Sequence, residues 1–180
     1  IAAGKVTFDV ATNVPGISVH GRSNALEVTI ETRESATGGM LLDKVDAVVP
    51  VKTLGTGMSL RDTHMRTLVF ETSTGDMPDL RFTAEGSTCV LGDLGQPATT
   101  CTLAGSLFIR GTARPLSISL AVSQDGGRVR AAGDGIVKLS TYGIEPPSQF
   151  GVRTSDDVKL HLELTGTAPA TQMTALTGRR

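Results

Sequence analysis

The stretch Leu116-Ser117-Ile118-Ser119-Leu120-Ala121-Val122-Ser123 decides the fold: every second residue is a large aliphatic one, and every residue between is small or polar. Successive side chains of a strand point to opposite faces, so a period of two predicts a strand with one face in a core and one in water. The same pattern recurs along the chain. Val158, Leu160, Leu162 and Leu164 alternate with Lys159, His161, Glu163 and Thr165. Leu26, Val28 and Ile30 alternate with Glu27, Thr29 and Glu31, and Leu103, Gly105, Leu107 and Ile109 with Thr102, Ala104, Ser106 and Phe108. Further strands are expected near 4–10, 15–21, 45–54, 78–91 and 127–139, joined by turn signals such as Gln124-Asp125-Gly126-Gly127. About eight or nine antiparallel strands with short connections predict an all-β fold, an up-and-down barrel or a sandwich, and a barrel removes exposed strand edges.

One segment breaks the alternation. Ser59-Leu60-Arg61-Asp62-Thr63-His64-Met65-Arg66-Thr67-Leu68 follows Gly55 and Gly57 and reads as a short helix, with Ser59 at the N-cap and Asp62 three residues on. Leu60 and His64 would share a face with Thr67 or Leu68. Ser59, Asp62 and His64 are the residue types of a hydrolytic triad. Three such groups within six residues of one helical turn do not adopt the serial geometry of nucleophile, base and orienter, so the expectation is a capping role and no catalytic site.

Composition bounds the function. With 180 residues the chain is of one-domain size, and 39% hydrophobic against 19% charged residues places it among globular proteins rather than disordered ones. The longest apolar runs, such as Ala47 to Val51, fall far short of the roughly 20 residues that a membrane helix needs. Seventeen basic and eighteen acidic residues leave a formal charge of −1, with no basic block to neutralise a phosphate backbone, so nucleic acid is not an expected partner. His20 and His161 stand alone, no His/Cys spacing suits a metal, and no GxGxxG or Walker-type loop suits a nucleotide. No metal and no resident cofactor are expected.

Cys89 and Cys101 lie symmetrically about Gly95 in a stretch whose Gly92-Asp93-Leu94-Gly95-Gln96-Pro97 carries hairpin signals. Facing each other across two strands, they would form a disulfide that persists only in an oxidising compartment; the alternative is two separate thiols. Strict alternation puts Cys89 on the polar face, with Arg81, Thr83 and Glu85, and a bulge at Gly86 would bring it inward. The opening Ile1-Ala2-Ala3-Gly4 has the look of a mature chain from which a leader was removed, an expectation of export. The Thr-rich stretch 168–180 reads as a flexible tail behind a single domain spanning 1–167.

Several positions expected to point inward are small: Ala84, Gly86, Gly105, Ala131, Gly133 and Gly135. Either they leave room for a ligand or they let strands bend sharply, and residue content alone does not choose.

Three motifs in order resemble the YceI-like family of exported bacterial lipid-binding proteins. The helix Ser59 to Phe70 leading into Met77-Pro78-Asp79-Leu80-Arg81-Phe82 is similar to the family's Arg-Asp-x-His-Leu-Arg helix followed by a Pro-x-Ile-x-Phe strand. Ala104 to Leu116, with Arg110-Gly111-Thr112-Ala113-Arg114-Pro115, resembles its Gly-x-Leu-x-Ile-x-Gly-x-Thr-Lys-Pro hairpin. Thr141-Tyr142-Gly143-Ile144-Glu145-Pro146-Pro147, with Asp157-Val158-Lys159-Leu160 after it, resembles the Phe-Gly-Ile turn before the last strand, Tyr142 standing for the phenylalanine. Val69 stands where the family tends to have an aromatic pair.

The resemblance implies an extended lipocalin-like antiparallel barrel with one or two short helices, and a periplasmic or secreted location. It also implies a long apolar pocket for an isoprenoid, quinone or fatty-acyl lipid, held without catalysis. His64 and Arg66 would be the polar groups near its mouth. Leu60, Met65, Leu68, Phe70, Phe82, Leu107 and Ile109 would line it, with Gly105, Gly133 and Tyr142 beside them. The alternative is an accessory subunit of a periplasmic or membrane-attached complex, with a membrane-attached protein as partner and no functional pocket. A homodimer is compatible with either.

Overall fold

The computed structural model describes residues 2–36, 40–91, 98–125 and 127–167. The tail at 168–180 and the turn Gly92 to Pro97 lie outside these residues. The chain is all-β. Its strands are β1 (Ala2–Thr12), β2 (Ser18–Glu34), β3 (Met40–Val49), β4 (Leu80–Glu85), β5 (Val90–Leu91), β6 (Thr99–Ile109), β7 (Thr112–Asp125), β8 (Arg128–Lys138), β9 (Ser148–Gln149) and β10 (Val152–Thr167). One α-helix, α1 (Ser59–Met65), runs into a π-helical turn, Arg66–Phe70, and 3-10 turns occupy Val51–Thr53 and Leu139–Tyr142.

Eight strands form the antiparallel path β1-β2-β3-β4-β6-β7-β8-β10, and β1 pairs with β10 to close it into a barrel. The alternation explains the closure: Leu103 lies opposite Ile118, Leu120 opposite Gly133 and Phe8 opposite Leu160, so each ladder stacks apolar residues on one face. Leu116, Ile118, Leu120 and Val122 are all buried. The stretches expected as separate strands near 15–21 and 26–31 form one 17-residue strand, β2. The stretch expected at 78–91 is split instead. It stops at Glu85, turns at Gly86 with φ +65, and resumes as β5, which pairs with β3 rather than with β6.

That break brings Cys89 inside. The Gly86 amide donates to Asp43 O (2.8 Å), the Cys89 amide to Ser87 Oγ (2.9 Å), and Cys89 O accepts from the Leu42 amide (2.9 Å). Cys89 is fully buried and bonded to Cys101 with their Cα atoms 5.4 Å apart. The bond therefore joins β6 to a segment held by β3, not two rungs of one hairpin.

The interior has two levels. Where β1 begins and β10 ends, Ala2, Leu42, Val45, Ala84, Cys89 and Val122 fill the barrel and seal it. Toward the other end the wall residues face a hollow.

Candidate functional site

The hollow is a cavity of about 760 Å³, inside the range of about 300–1,000 Å³ typical of small-molecule sites. Its deep wall is apolar throughout: Val6, Phe8 and Val10 from β1, Leu26 and Val28 from β2, Leu116, Ile118 and Leu120 from β7, and Val158, Leu160, Leu162 and Leu164 from β10 are among the residues that line it. Polar residues touch the cavity only on three segments at its mouth. Thr12 and Ser18 flank the β1–β2 turn, Thr56, Arg61, His64 and Thr67 belong to the helical segment, and Ser148, Gln149 and Thr154 to the β9–β10 hairpin.

The helical segment is set by Asp62. Helix α1 starts one residue earlier than expected, with Met58 at the N-cap and no side-chain cap, so the capping box at Ser59 is not formed. Asp62 instead reaches back over the loop: its Oδ1 accepts from the Thr56 amide (2.7 Å) and the Thr56 hydroxyl (2.5 Å). Burial pushes the Asp62 carboxyl up, but the Thr56 hydrogen bonds, with Arg66 and Arg61 nearby, hold it below the usual carboxylate range. Arg61 Nε and a terminal guanidinium nitrogen donate to the Thr56 hydroxyl and carbonyl (2.8 and 3.0 Å).

This arrangement fixes which helix face looks inward. Arg61, His64, Met65 and Leu68 line the cavity, while Leu60 turns outward and is 64% exposed. The π turn, closed by the Glu71 amide donating to Arg66 O (3.0 Å), shifts the register so that Val69 and Phe70 are both buried. His64 Nδ1 lies 3.3 Å from Gln149 Oε1, a hydrogen bond that ties α1 to the β9–β10 hairpin across the mouth. Ser59, Asp62 and His64 thus take separate partners or none in common, and no serial relay forms among them.

Of the residues expected at the pocket, the structure brings His64, Met65, Leu68, Phe70, Phe82, Leu107 and Ile109 onto the cavity wall. Leu60, Arg66, Gly105, Gly133 and Tyr142 lie off it, each for a physical reason. A terminal guanidinium nitrogen of Arg66 donates to Leu54 O (2.8 Å), so its side chain ties the helical segment to the preceding loop rather than facing the mouth. The Tyr142 hydroxyl is buried and donates to Leu107 O (3.2 Å), making the ring a plug beside the barrel's end.

The two glycines neither open a cavity nor take a left-handed backbone. A Cβ at Gly105 would meet the Phe82 ring at 2.6 Å and the Thr83 carbonyl, and one at Gly133 would meet Leu120 Cδ2 at 2.7 Å. Neighbouring side chains already occupy the space that the missing Cβ leaves, as Phe8 does over Gly21. Gly86, also expected inward, serves the turn.

The expected lining omitted β1, β10, Arg61, Ile17 and Phe150, all of which touch the cavity. The alternation at Val158 to Leu164 did place that strand's apolar face inward; the contribution of the β9–β10 turn had no comparable signal.

A closed antiparallel barrel around a deep apolar cavity with a polar mouth is the architecture of a lipocalin-like binding protein. The sequence model of the YceI-like domain matches residues 2–166, and the chain belongs to that family. Solved structures share its fold. They include BcnA of Burkholderia cenocepacia (14% identity, 91% of this chain and 96% of that one, TM-score 0.65) and a polyisoprenoid-binding domain from Saccharophagus degradans implicated in plant cell wall breakdown (14%, 93% and 98%, 0.63). The YceI protein of Campylobacter jejuni is also similar (15%, 87% and 89%, 0.63). No curated protein matches the sequence.

Proposed function

We propose that the protein binds and carries one long-chain amphiphile, of isoprenoid, quinone or fatty-acyl type, with its tail in the cavity and its head at the mouth, and performs no chemistry on it. The observation that carries this reading is the division of the wall: apolar along its whole depth, polar only at the opening. Each CH2 moved from water into such a wall gains about 0.8 kcal/mol, so ten methylenes supply about 8 kcal/mol with no charged anchor inside. His64, Arg61, Gln149 and Thr56 are the groups that would meet a head group, and they fix which way round the lipid enters. The polyisoprenoid-binding relative supports the same ligand class. The Cys89–Cys101 bond supports a periplasmic or secreted setting, where disulfides persist.

The test is solvent extraction of the purified protein followed by mass spectrometry. One equivalent of long-chain lipid per chain is expected. A protein that yields none, and takes up none when incubated with a polyprenyl phosphate and a C16 fatty acid, overturns the reading and leaves the accessory-subunit role.

A further inference from the structure

The fold leaves apolar side chains in water around the mouth. Ile17 and Leu68 line the cavity and are still 49% and 50% exposed, and Phe150 lines it while being 96% exposed. Met58 and Leu60, at the start of α1, are exposed as well.

Phe150 is costly where it stands. Gln149 pairs with Val152, so Phe150 and Gly151 form a two-residue turn in which both have positive φ, +51 and +79. Turns of this kind favour Asn-Gly or Asp-Gly, and a bulky side chain there is strained. The corresponding turn between β6 and β7 has Arg110 at φ +53, but its guanidinium donates to Gly143 O (3.4 Å). Phe150 packs into no core and suits no backbone requirement, so neither stability nor turn geometry accounts for an aromatic at this tip.

Charge marks the same end. Lys52, Arg61 and Arg153 stand on the helical segment and the β9–β10 hairpin that frame the mouth, with Asp62 among them and Glu71, Asp79 and Glu145 at the outer borders of those segments. Asp62 is engaged by Thr56 and has Arg61 and Arg66 nearby, whereas Lys52 and Arg153 enter no ion pair among the described residues. Apolar tips set among cations are the chemistry of a surface that enters the boundary between head groups and acyl chains of an anionic bilayer.

We infer that the mouth docks on anionic lipid membranes, with Phe150, Ile17 and Leu68 dipping below the head groups so that the cavity opens directly into the bilayer. The use of this docking, loading and unloading a lipid without passage through water, rests on the carrier reading; the docking does not. Vesicles of phosphatidylcholine, with and without 30% phosphatidylglycerol by design, are the probe in a co-sedimentation assay.

The parent protein is expected to sediment with the phosphatidylglycerol vesicles and to release as salt rises. Phe150→Asn suits the turn, so it should keep or raise the melting temperature while lowering vesicle partitioning about tenfold. A parent that stays in the supernatant, or a Phe150→Asn variant that sediments as well as the parent, overturns the proposal. So does a dimer in sedimentation velocity that Phe150→Asn splits, which gives the patch to a second copy. Mass spectrometry of the same preparations separates the two readings. Lipid in the cavity without vesicle binding defeats the docking alone; vesicle binding with an empty cavity defeats the carrier alone.

Discussion

The sealed and hollow ends of the barrel are made from the same strands by the same alternation, yet they differ in what fills them. At the sealed end mostly small or β-branched side chains, Ala2, Val45, Ala84 and Val122 together with Leu42, close on one another around the buried sulfur of Cys89. At the hollow end Leu107, Leu116, Leu160 and Leu162 are larger, and still fail to meet across the barrel. Larger residues do not make a tighter core; reach across the barrel does. The sealed end has an extra segment, β5 with its cysteine, folded into the lumen, and the hollow end has its helix laid over the opening instead. One end supplies stability and the other keeps its interior apolar surface available to a guest.

Breaking the sealed end should have the largest effect. The Cys89→Ala, Cys101→Ala pair removes a cross-link across 12 positions and is expected to cost about 3 kcal/mol, seen in denaturant melts with and without reductant. Lipid content in the protein that remains folded should be unchanged. Lipid loss from a folded variant would show that the two ends are not independent.

A matched pair of alanines sharpens the comparison at the next scale. Ala84 sits in the solid core and Ala47 on the cavity wall, on neighbouring strands. Ala84→Leu overpacks and should cost about 1–3 kcal/mol in thermal melts with little change in bound lipid. Ala47→Leu extends into the hollow, so its melting temperature should hold while lipid content falls. Equal destabilisation by both would mean that the hollow closes in solution.

The smallest effects concern the loop that sets the helix. Asp62→Ala should cost about 1 kcal/mol by releasing the Thr56 amide and hydroxyl, whereas Ser59→Ala should stay within about 0.5 kcal/mol because Ser59 caps nothing. The Asp62 carboxyl lies below its ordinary value of 3.8 in the folded protein, so its contribution is complete above that pH and is lost as pH falls through the folded value. The deficit of Asp62→Ala should therefore shrink in melts taken below about pH 3.8. A deficit that does not depend on pH would assign Asp62 a packing role only.

Much of this division was legible in the residues, and the misreadings have a common origin. Alternation at Leu116 to Ser123 and Val158 to Thr165 gave the strands and their inward faces, since period two is a local property of the backbone. The turn signals between Cys89 and Cys101 anticipated the disulfide partners, though the strand break that admits Cys89 depends on β3 receiving it. Gly105 and Gly133 could be read either as vacant space or as strand bends, because sequence shows what a residue lacks and not which neighbour, Phe82 or Leu120, leans over it. Ser59 looked like a cap because the motif is local, while the actual anchor, Asp62 to Thr56, runs backward across a loop. Phe150 carried no periodic signal at all. Its meaning lies in a pair of positive φ angles.

The pairing of β1 with β10 reaches beyond ligand binding. Ala2 lies opposite Gly166, so the first and last strands start and finish side by side at the sealed end. β1 has 11 residues, which at about 3.3 Å each spans up to about 36 Å, so a dye or a surface tether attached at Ala2 or Gly166 stands well away from the mouth. Oriented immobilisation is thereby available from the sealed-end tips of both strands. A short linker joining Ala2 to Gly166, with new ends opened at the Arg110–Gly111 turn, would give a circular permutant whose attachment point moves to the opposite pole.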